Sequence, residues 1–353
     1  MDRHTKALEI LKKGTVIPAT PLALDENRQF DEAGQRLLMK YYLDCGVGGI
    51  ATAVHTTQFE IRKPEFNLFE TILKIVKDEI DMYEEKTGKV IVRVAGVCGP
   101  IEQAVAEAKL AKSLGYDAVL LSPGGLNDRP EEYLIERTKA VAAEMPVIGF
   151  YLQEKCGGRP FTYNYWQQVA EVENVVAIKC ASFNRYQTLD VVRAVSFSSR
   201  KDDITLYTGN DDNIVVDLLT NYEFTAENGE KITNGFCGGL LGHWTLWTKK
   251  VVEMFEMLME AKKQDKIDAS LLTLAAQVTD ANAAFFDPSH GFEGCIPGVH
   301  ETLRRQGLMK GIWCLNPEEV MSEGQADEIT RVHDAYPHLH DDDFVNENIK
   351  NWK

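Results

Sequence analysis

The chain has 353 residues, 44% of them hydrophobic, and a formal net charge of −16. That charge argues against nucleic-acid and anionic-membrane partners, both of which require a basic face. No apolar run approaches the ~18 residues of a membrane span, and the N-terminal MDRHTKALEILKKG lacks the apolar stretch of a secretory signal. Seven cysteines (Cys45, Cys98, Cys156, Cys180, Cys237, Cys295 and Cys314) are odd in number, widely spaced and without a C-x-x-C. A disulfide framework or a zinc site is therefore not expected, and a reducing, cytoplasmic setting is.

Short β-rich apolar runs alternate with amphipathic helical stretches. Strands are expected at 14–21, 46–54, 90–97, 118–123, 147–153, 175–181, 204–210 and 234–239. Helices fall between them at 101–114, 130–144 and 187–195, with Pro130 suited to a helix start and Glu131 and Glu132 to its first turn. Most strand starts lie about 28–32 residues apart, close to the ~31 per unit of a barrel of ~250 residues. The longer interval from 46 to 90 requires an extended loop or helix over 60–89. A doubly wound sheet needs fewer strands and usually a Gly-rich first turn, whereas the first strand here ends in Ala19-Thr20-Pro21. The fold expected is a (β/α)₈ TIM barrel over 1–240, followed by a C-terminal helical extension over 241–353. Within that extension, 244–263 and 268–287 pattern as helices, and HLHDDDFVNENIKNWK as a polar surface tail.

Lys179 is the most informative residue. It interrupts VVAIKCA, an otherwise apolar strand near whose C-terminal end it sits. Barrel strands are packed on both faces, and barrel active sites form at the C-terminal face. Desolvation lowers a lysine's pKa and frees the amine that attacks a ketone. A structural ion pair or a snorkelling side chain is the alternative. Tyr151, near the end of the fifth strand, is a candidate proton carrier, or a core aromatic. His55-Thr56-Thr57 follows the second strand, where hydroxyls and consecutive N–H groups suit a carboxylate. Gly209-Asn210-Asp211-Asp212 and Gly238-Gly239 end the seventh and eighth strands, where barrel loops often hold anions. His338, His340 and Asp341 to Asp343 have ligand-type side chains, but in an acidic tail they are not expected to form a metal site.

These residues together resemble the dihydrodipicolinate synthase / N-acetylneuraminate lyase family of class I aldolases. The resemblance runs from about residue 14 to about 320. It rests on IPATPL with Asp31 downstream, GVGGI…HTTQFE, AKSLGYDAVLLSP, FY before VVAIKCAS, and LYTGNDD. It implies the (β/α)₈ barrel with C-terminal helices, a homotetramer or homodimer, and neither a metal nor an organic cofactor. It assigns the Schiff base to Lys179, proton transfer to Tyr151, carboxylate binding to Thr56 and Thr57, and backbone contacts to Gly209. Met254, Phe255 and Leu258 are expected to supply apolar surface for the oligomer.

The chain departs from the family pattern at three places. His55 stands where the family has glycine, followed by Gln58-Phe59-Glu60. Gly124 and Gly125 stand near the synthase's inter-subunit tyrosine. The arginine after the fifth strand arrives several residues late, as Arg159. The expected function is a Schiff-base lyase or aldolase acting on pyruvate or a related small-molecule 2-oxo acid, and not authentic dihydrodipicolinate synthase. Its substrate contacts are expected from His55, Thr56, Thr57, Arg159, Gly209 and Gly238. A dehydratase of a sugar-derived 2-oxo acid and a non-catalytic ligand-binding barrel remain open.

Overall fold

A computed structural model describes all 353 residues. Eight parallel strands form one sheet: β1 (Val16–Pro18), β2 (Gly49–Thr52), β3 (Val92–Val97), β4 (Ala118–Leu121), β5 (Val147–Leu152), β6 (Val175–Ala181), β7 (Thr205–Thr208) and β10 (Phe236–Leu241). Their spatial order is β1-β10-β7-β6-β5-β4-β3-β2, and a bridge between Ala19 and Ala51 brings the ends together as a barrel. Each expected strand is present. Between β7 and β10 an antiparallel hairpin, β8 (Tyr222–Thr225) and β9 (Lys231–Asn234), was not foreseen; its alternating half-exposed residues give no long apolar run.

Helix α1 (Arg3–Lys13) precedes the barrel. Around the sheet lie α2 (Glu32–Cys45), α3 (Phe69–Thr87), α4 (Ile101–Ser113), α5 (Glu131–Ala142), α6 (Tyr163–Ala170), α7 (Arg185–Ser196) and α8 (Ile214–Leu219). Beyond β10 come α9 (Thr248–Lys262), α10 (Ser270–Phe286), α11 (Cys295–Arg305), α12 (Gln325–Ala335) and α13 (Asp342–Trp352). The 60–89 interval resolves into a 3₁₀ turn, Phe59–Arg62, and the long α3.

Strand alternation divides the core in two. Ile17, Ala51, Val94, Leu120, Ile148, Phe150, Ala177 and Tyr207 fill the barrel interior, together with Ala7 and Leu11 of α1. Tyr207 Oη donates to the Leu11 carbonyl at 2.7 Å. Helix α1 thus packs into the N-terminal side of the interior. The outer core lies between sheet and helices and includes side chains from α9 to α13. The residues after Leu241 therefore share the barrel's own core.

Two expectations are corrected here. The final segment is not a surface tail but helix α13. Val345 and Trp352, two turns apart on one face, are both buried, and Trp352 Nε1 donates to Asp44 Oδ2 at 2.7 Å. Buried Asp341 accepts from Tyr41 Oη at 2.7 Å and Lys249 N at 2.9 Å. A polar composition hid a narrow apolar stripe. Likewise Met254 and Leu258 are internal; the exposed apolar side chains of this region are Met257, Ile267 and Leu272. No helix is long and apolar enough to cross a membrane.

Candidate active site

The C-terminal ends of the strands surround a cavity of about 70 Å³, lined by Lys179, Phe150, His55, Thr56, Gly209 and Asp211 and by apolar side chains. Lys179 is 8% exposed, and its Nζ lies 4.3 Å from the centroid of the Phe150 ring. Burial holds its pKa below the ordinary lysine value, opposed by the charge of Asp211. Gly209 makes room for it, since a Cβ there would lie 2.6 Å from Lys179 Cε. The Gly209 N–H is already bonded to the Cys180 carbonyl at 2.7 Å, so Gly209 offers the cavity space more than a donor.

Asp211 is the residue that sequence reasoning passed over within its own loop. Burial raises its pKa. Its Oδ1 accepts the His243 N–H at 3.0 Å, and its carbonyl accepts from Asn282 at 2.7 Å. Asn210 fixes the loop from the other side: its Oδ1 accepts the Phe183 N–H at 3.0 Å, and its Nδ2 donates to Asp217 Oδ2 at 2.9 Å. The acid thus stands on a turn tied to β6 and to α10. Burial draws Lys179 and Asp211 each toward its neutral form, and the attraction between their charges opposes both shifts.

The second-strand exit is a constructed turn. Ala53 takes φ 59° and Gln58 φ 66°, a region costly for side-chain-bearing residues, and between them His55–Thr57 forms a 3₁₀ turn. Thr56 Oγ1 donates to the Ala19 carbonyl at 2.6 Å and Thr57 Oγ1 to the Thr20 carbonyl at 2.7 Å. Arg62 donates to the Ala53 and Gly96 carbonyls at 3.1 and 2.8 Å. The turn so held places the His55 imidazole on the cavity wall, where it has no hydrogen-bond partner in the protein. Burial and the Lys179 charge pull its pKa down to about 4, leaving a neutral ring at neutral pH. Thr56 reaches the cavity; Thr57 is fully buried behind it, its hydroxyl proton engaged.

Tyr151 is not brought to this cavity. It sits 1% exposed in the outer core, its ring 5.4 Å from those of Phe161 and Trp166, with its oxygen accepting the Phe161 N–H at 3.1 Å. Burial pushes its pKa up to about 12. The cause is the alternation of β5, which puts Val147 and Tyr151 on the outer face and Ile148 and Phe150 on the inner one. Val147 pairs with Val175, but Ile148 pairs with Ala177, and this irregularity makes Phe150 the partner of Lys179 and Tyr151 the partner of Cys180.

Two further expected contacts lie elsewhere. Arg159 is directed to the carbonyls of Asn127 and Arg129 on the neighbouring loop. Gly238 lies deeper in the barrel, where a Cβ would strike Tyr207 Cε1 and the Thr15 carbonyl at 2.6 Å; β10 runs on to Leu241, and Gly242 is its cavity-lining glycine. Phe286, Phe292 and Cys295, from the C-terminal helical region, also line the cavity. Among metal-type side chains, His340 and Asp342 gather with His333 rather than His338. These pack against Trp247, away from the cavity lining, and His333 Nε2 already bonds Asp342 Oδ2 at 2.8 Å.

The Dihydrodipicolinate synthetase family model matches residues 12–221. The 4-hydroxy-tetrahydrodipicolinate synthase of Clostridium novyi (strain NT) is 26% identical over 181 residues, 50% of this chain and 56% of that protein. The enzyme of the same name from Clostridium tetani (strain Massachusetts / E88) is 25% identical over 233 residues, 65% of this chain and 67% of that one. The chain thus spans between about half and two thirds of the length of these curated relatives. Among solved structures, dihydrodipicolinate synthase from Oceanobacillus iheyensis superposes with TM-score 0.71 at 15% identity, covering 95% of this chain and 99% of that one. N-acetylneuraminate lyase from Fusobacterium nucleatum gives TM-score 0.69 at 16% identity, covering 92% and 99%. At these identities the structural likeness speaks for the fold.

Proposed function

We propose that this chain, which belongs to the dihydrodipicolinate synthetase family, is a lyase or aldolase that forms a Schiff base between Lys179 and pyruvate or a related 2-oxo acid. The observation that carries this reading is one buried amine in a small cavity, beside a buried carboxyl and a free imidazole.

The neutral Lys179 amine attacks C2 of the oxo acid. A C–N bond forms, the carbonyl electron pair moves to oxygen, and the Asp211 carboxyl gives that oxygen its proton. The nitrogen passes one proton to the departing hydroxyl, and loss of water leaves a protonated imine, an electron sink for the adjacent carbon. His55, neutral and unbonded, takes a proton from C3 to give the enamine. In the condensing direction C3 bonds to the carbon of an aldehyde, whose oxygen takes the proton back; cleavage is the reverse. The N–H groups of His55 and Thr56, which lack partners within the turn, hold the carboxylate. Phe150 in the position facing Lys179, and Arg159 directed to another loop, favour a second substrate different from that of the synthase.

A non-catalytic ligand-binding barrel is the second reading, favoured by the absence of a phenol opposite Lys179. Borohydride reduction in the presence of pyruvate, read by intact-protein mass spectrometry, separates the two. The lyase reading expects the mass of a reduced pyruvyl adduct, located at Lys179 by peptide mapping. An unlabelled protein across a panel of 2-oxo acids overturns it.

A further inference from the structure

Outside the Lys179 cavity lies a larger chamber of about 560 Å³. His55, Cys156 and Phe292 line both spaces, so the two meet at the imidazole. The inner cavity has room for a compact acid, and the adjoining chamber has room for a group bonded to it. The chamber's charge is lopsided. Glu60, Glu293, Glu318 and Glu319 line it, against Lys155 as its only lysine or arginine. None of these four carboxylates takes part in a salt bridge, unlike Glu70, Glu136, Glu253 and Glu328. Glu60 and Glu319 face each other closely enough that burial together with the Glu60 charge lifts the Glu319 pKa to about 7.

A second observation is independent of charge. Gln58, 1% exposed, lines the same chamber. Its Oε1 accepts the Leu315 N–H at 2.6 Å, which fixes the amide, yet its Nε2 has no partner. A buried amide donor left unmade costs free energy until a ligand acceptor meets it. Two carboxylates that repel each other and one idle amide donor describe a subsite awaiting a cationic, hydrogen-bonding group.

We propose that this chamber is the specificity subsite, and that the aldehyde joined to or released from the Lys179-bound acid carries a positively charged amino group and no phosphate or carboxylate. This rests on the Schiff-base reading above. The ammonium sits between Glu60 and Glu319, relieving their repulsion, and a carbonyl or hydroxyl oxygen of the same molecule accepts from Gln58 Nε2. A phosphorylated or acidic counterpart meets four carboxylates and is rejected by repulsion and desolvation.

The test uses the full-length protein with pyruvate and three aldehydes of matched length: 3-aminopropanal, 3-hydroxypropanal and its phosphate ester. Aldehyde-dependent consumption of pyruvate gives kcat/KM for each. The amino aldehyde should exceed the phosphate ester by at least about 10²-fold, with the hydroxy aldehyde between, as charge pairing in a partly buried site supplies. In Glu60→Gln and Glu319→Gln the amino-to-hydroxy ratio should fall by about tenfold, and Glu319→Lys should invert the preference toward the phosphate ester. Equal or better use of the phosphate ester by the unaltered protein, or ratios untouched in all three variants, overturns the proposal. Borohydride trapping with pyruvate alone is run on the same samples. A trapped imine without a charge preference refutes only the subsite, whereas failure to trap refutes the Schiff-base reading and this inference with it.

Discussion

Phe150 is the register partner of Lys179, and its ring centroid lies 4.3 Å from the lysine Nζ. The face opposite Lys179 is therefore hydrocarbon, and burial desolvates the amine with no phenol opposite it. On the Schiff-base reading Lys179 is the reacting nitrogen, and it is the one lysine that lines the cavity. Lys179→Ala and Lys179→Arg should both lose borohydride trapping completely, because a guanidinium stays protonated and cannot attack. Adduct persisting on either variant would place the imine on another lysine.

Tyr151 gives the converse prediction. Its oxygen serves the Phe161 N–H in the outer core. Tyr151→Phe should leave turnover within about twofold while lowering stability by about 1–3 kcal/mol, the cost of an unsatisfied buried N–H. Chemical denaturation and steady-state kinetics on the same preparation decide it. A turnover loss of a hundredfold with unchanged stability would return the tyrosine to the chemistry.

In the proposed mechanism His55 carries the proton traffic that no phenol supplies. His55→Ala and His55→Gln should retain trapping while turnover falls by about 10²–10⁴, the usual worth of a general acid–base group. Because burial and the Lys179 charge hold its pKa near 4, the imidazole is neutral at all pH values well above that. The unaltered enzyme should therefore lose activity through His55 only as the pH falls toward about 4. Unchanged turnover in both variants would reduce His55 to a turn residue.

The Lys179 and Asp211 shifts set a pH dependence whose sign can be worked out. Burial lowers the Lys179 pKa, so the attacking neutral amine is populated at pH values below the ~10.4 of a free lysine. The rate of imine formation should rise with pH and level off below that value. The Asp211 charge favours the ammonium, so removing it in Asp211→Asn lowers the Lys179 pKa further. The midpoint should move to lower pH while the plateau rate falls through loss of the acid. Rapid-quench borohydride trapping across pH measures both, and a midpoint moving upward would contradict the pairing.

Asn210 tests how the seventh-strand loop is held. It links the Phe183 N–H to Asp217, whose Oδ2 also accepts from Thr208 Oγ1 at 2.7 Å. Asn210→Ala leaves a buried N–H and a buried carboxylate each short of a partner. A loss of about 1–3 kcal/mol in denaturant unfolding is expected, with slower trapping as Asp211 loosens. Unaltered stability would mean water replaces the amide without cost.

Much of this protein is legible in its sequence because the signals are local. Alternating apolar runs at nearly constant spacing give the eight strands, and a lysine inside one of them marks the buried amine. The HTT turn and the GNDD loop likewise announce themselves by residue type at strand ends. What the sequence could not decide depends on pairing between distant segments. Counted without interruption from Val147 and Val175, Tyr151 would face Lys179; the break in β6 between Val175 and Ala177 instead brings Lys179 to the inner face opposite Phe150, while Tyr151 stays on the outer face it shares with Val147. That break is a property of two strands in contact, and neither strand alone encodes a visible sign of it. The same holds for Asp211 over Asp212, for the burial of Trp352 in a polar helix, and for the acidic chamber, whose carboxylates come from the second-strand exit and from residues more than 230 positions later. Residue type and period fix which groups exist on which element; only the packed chain decides which of them share a cavity, because solvent exclusion and register are relations between elements.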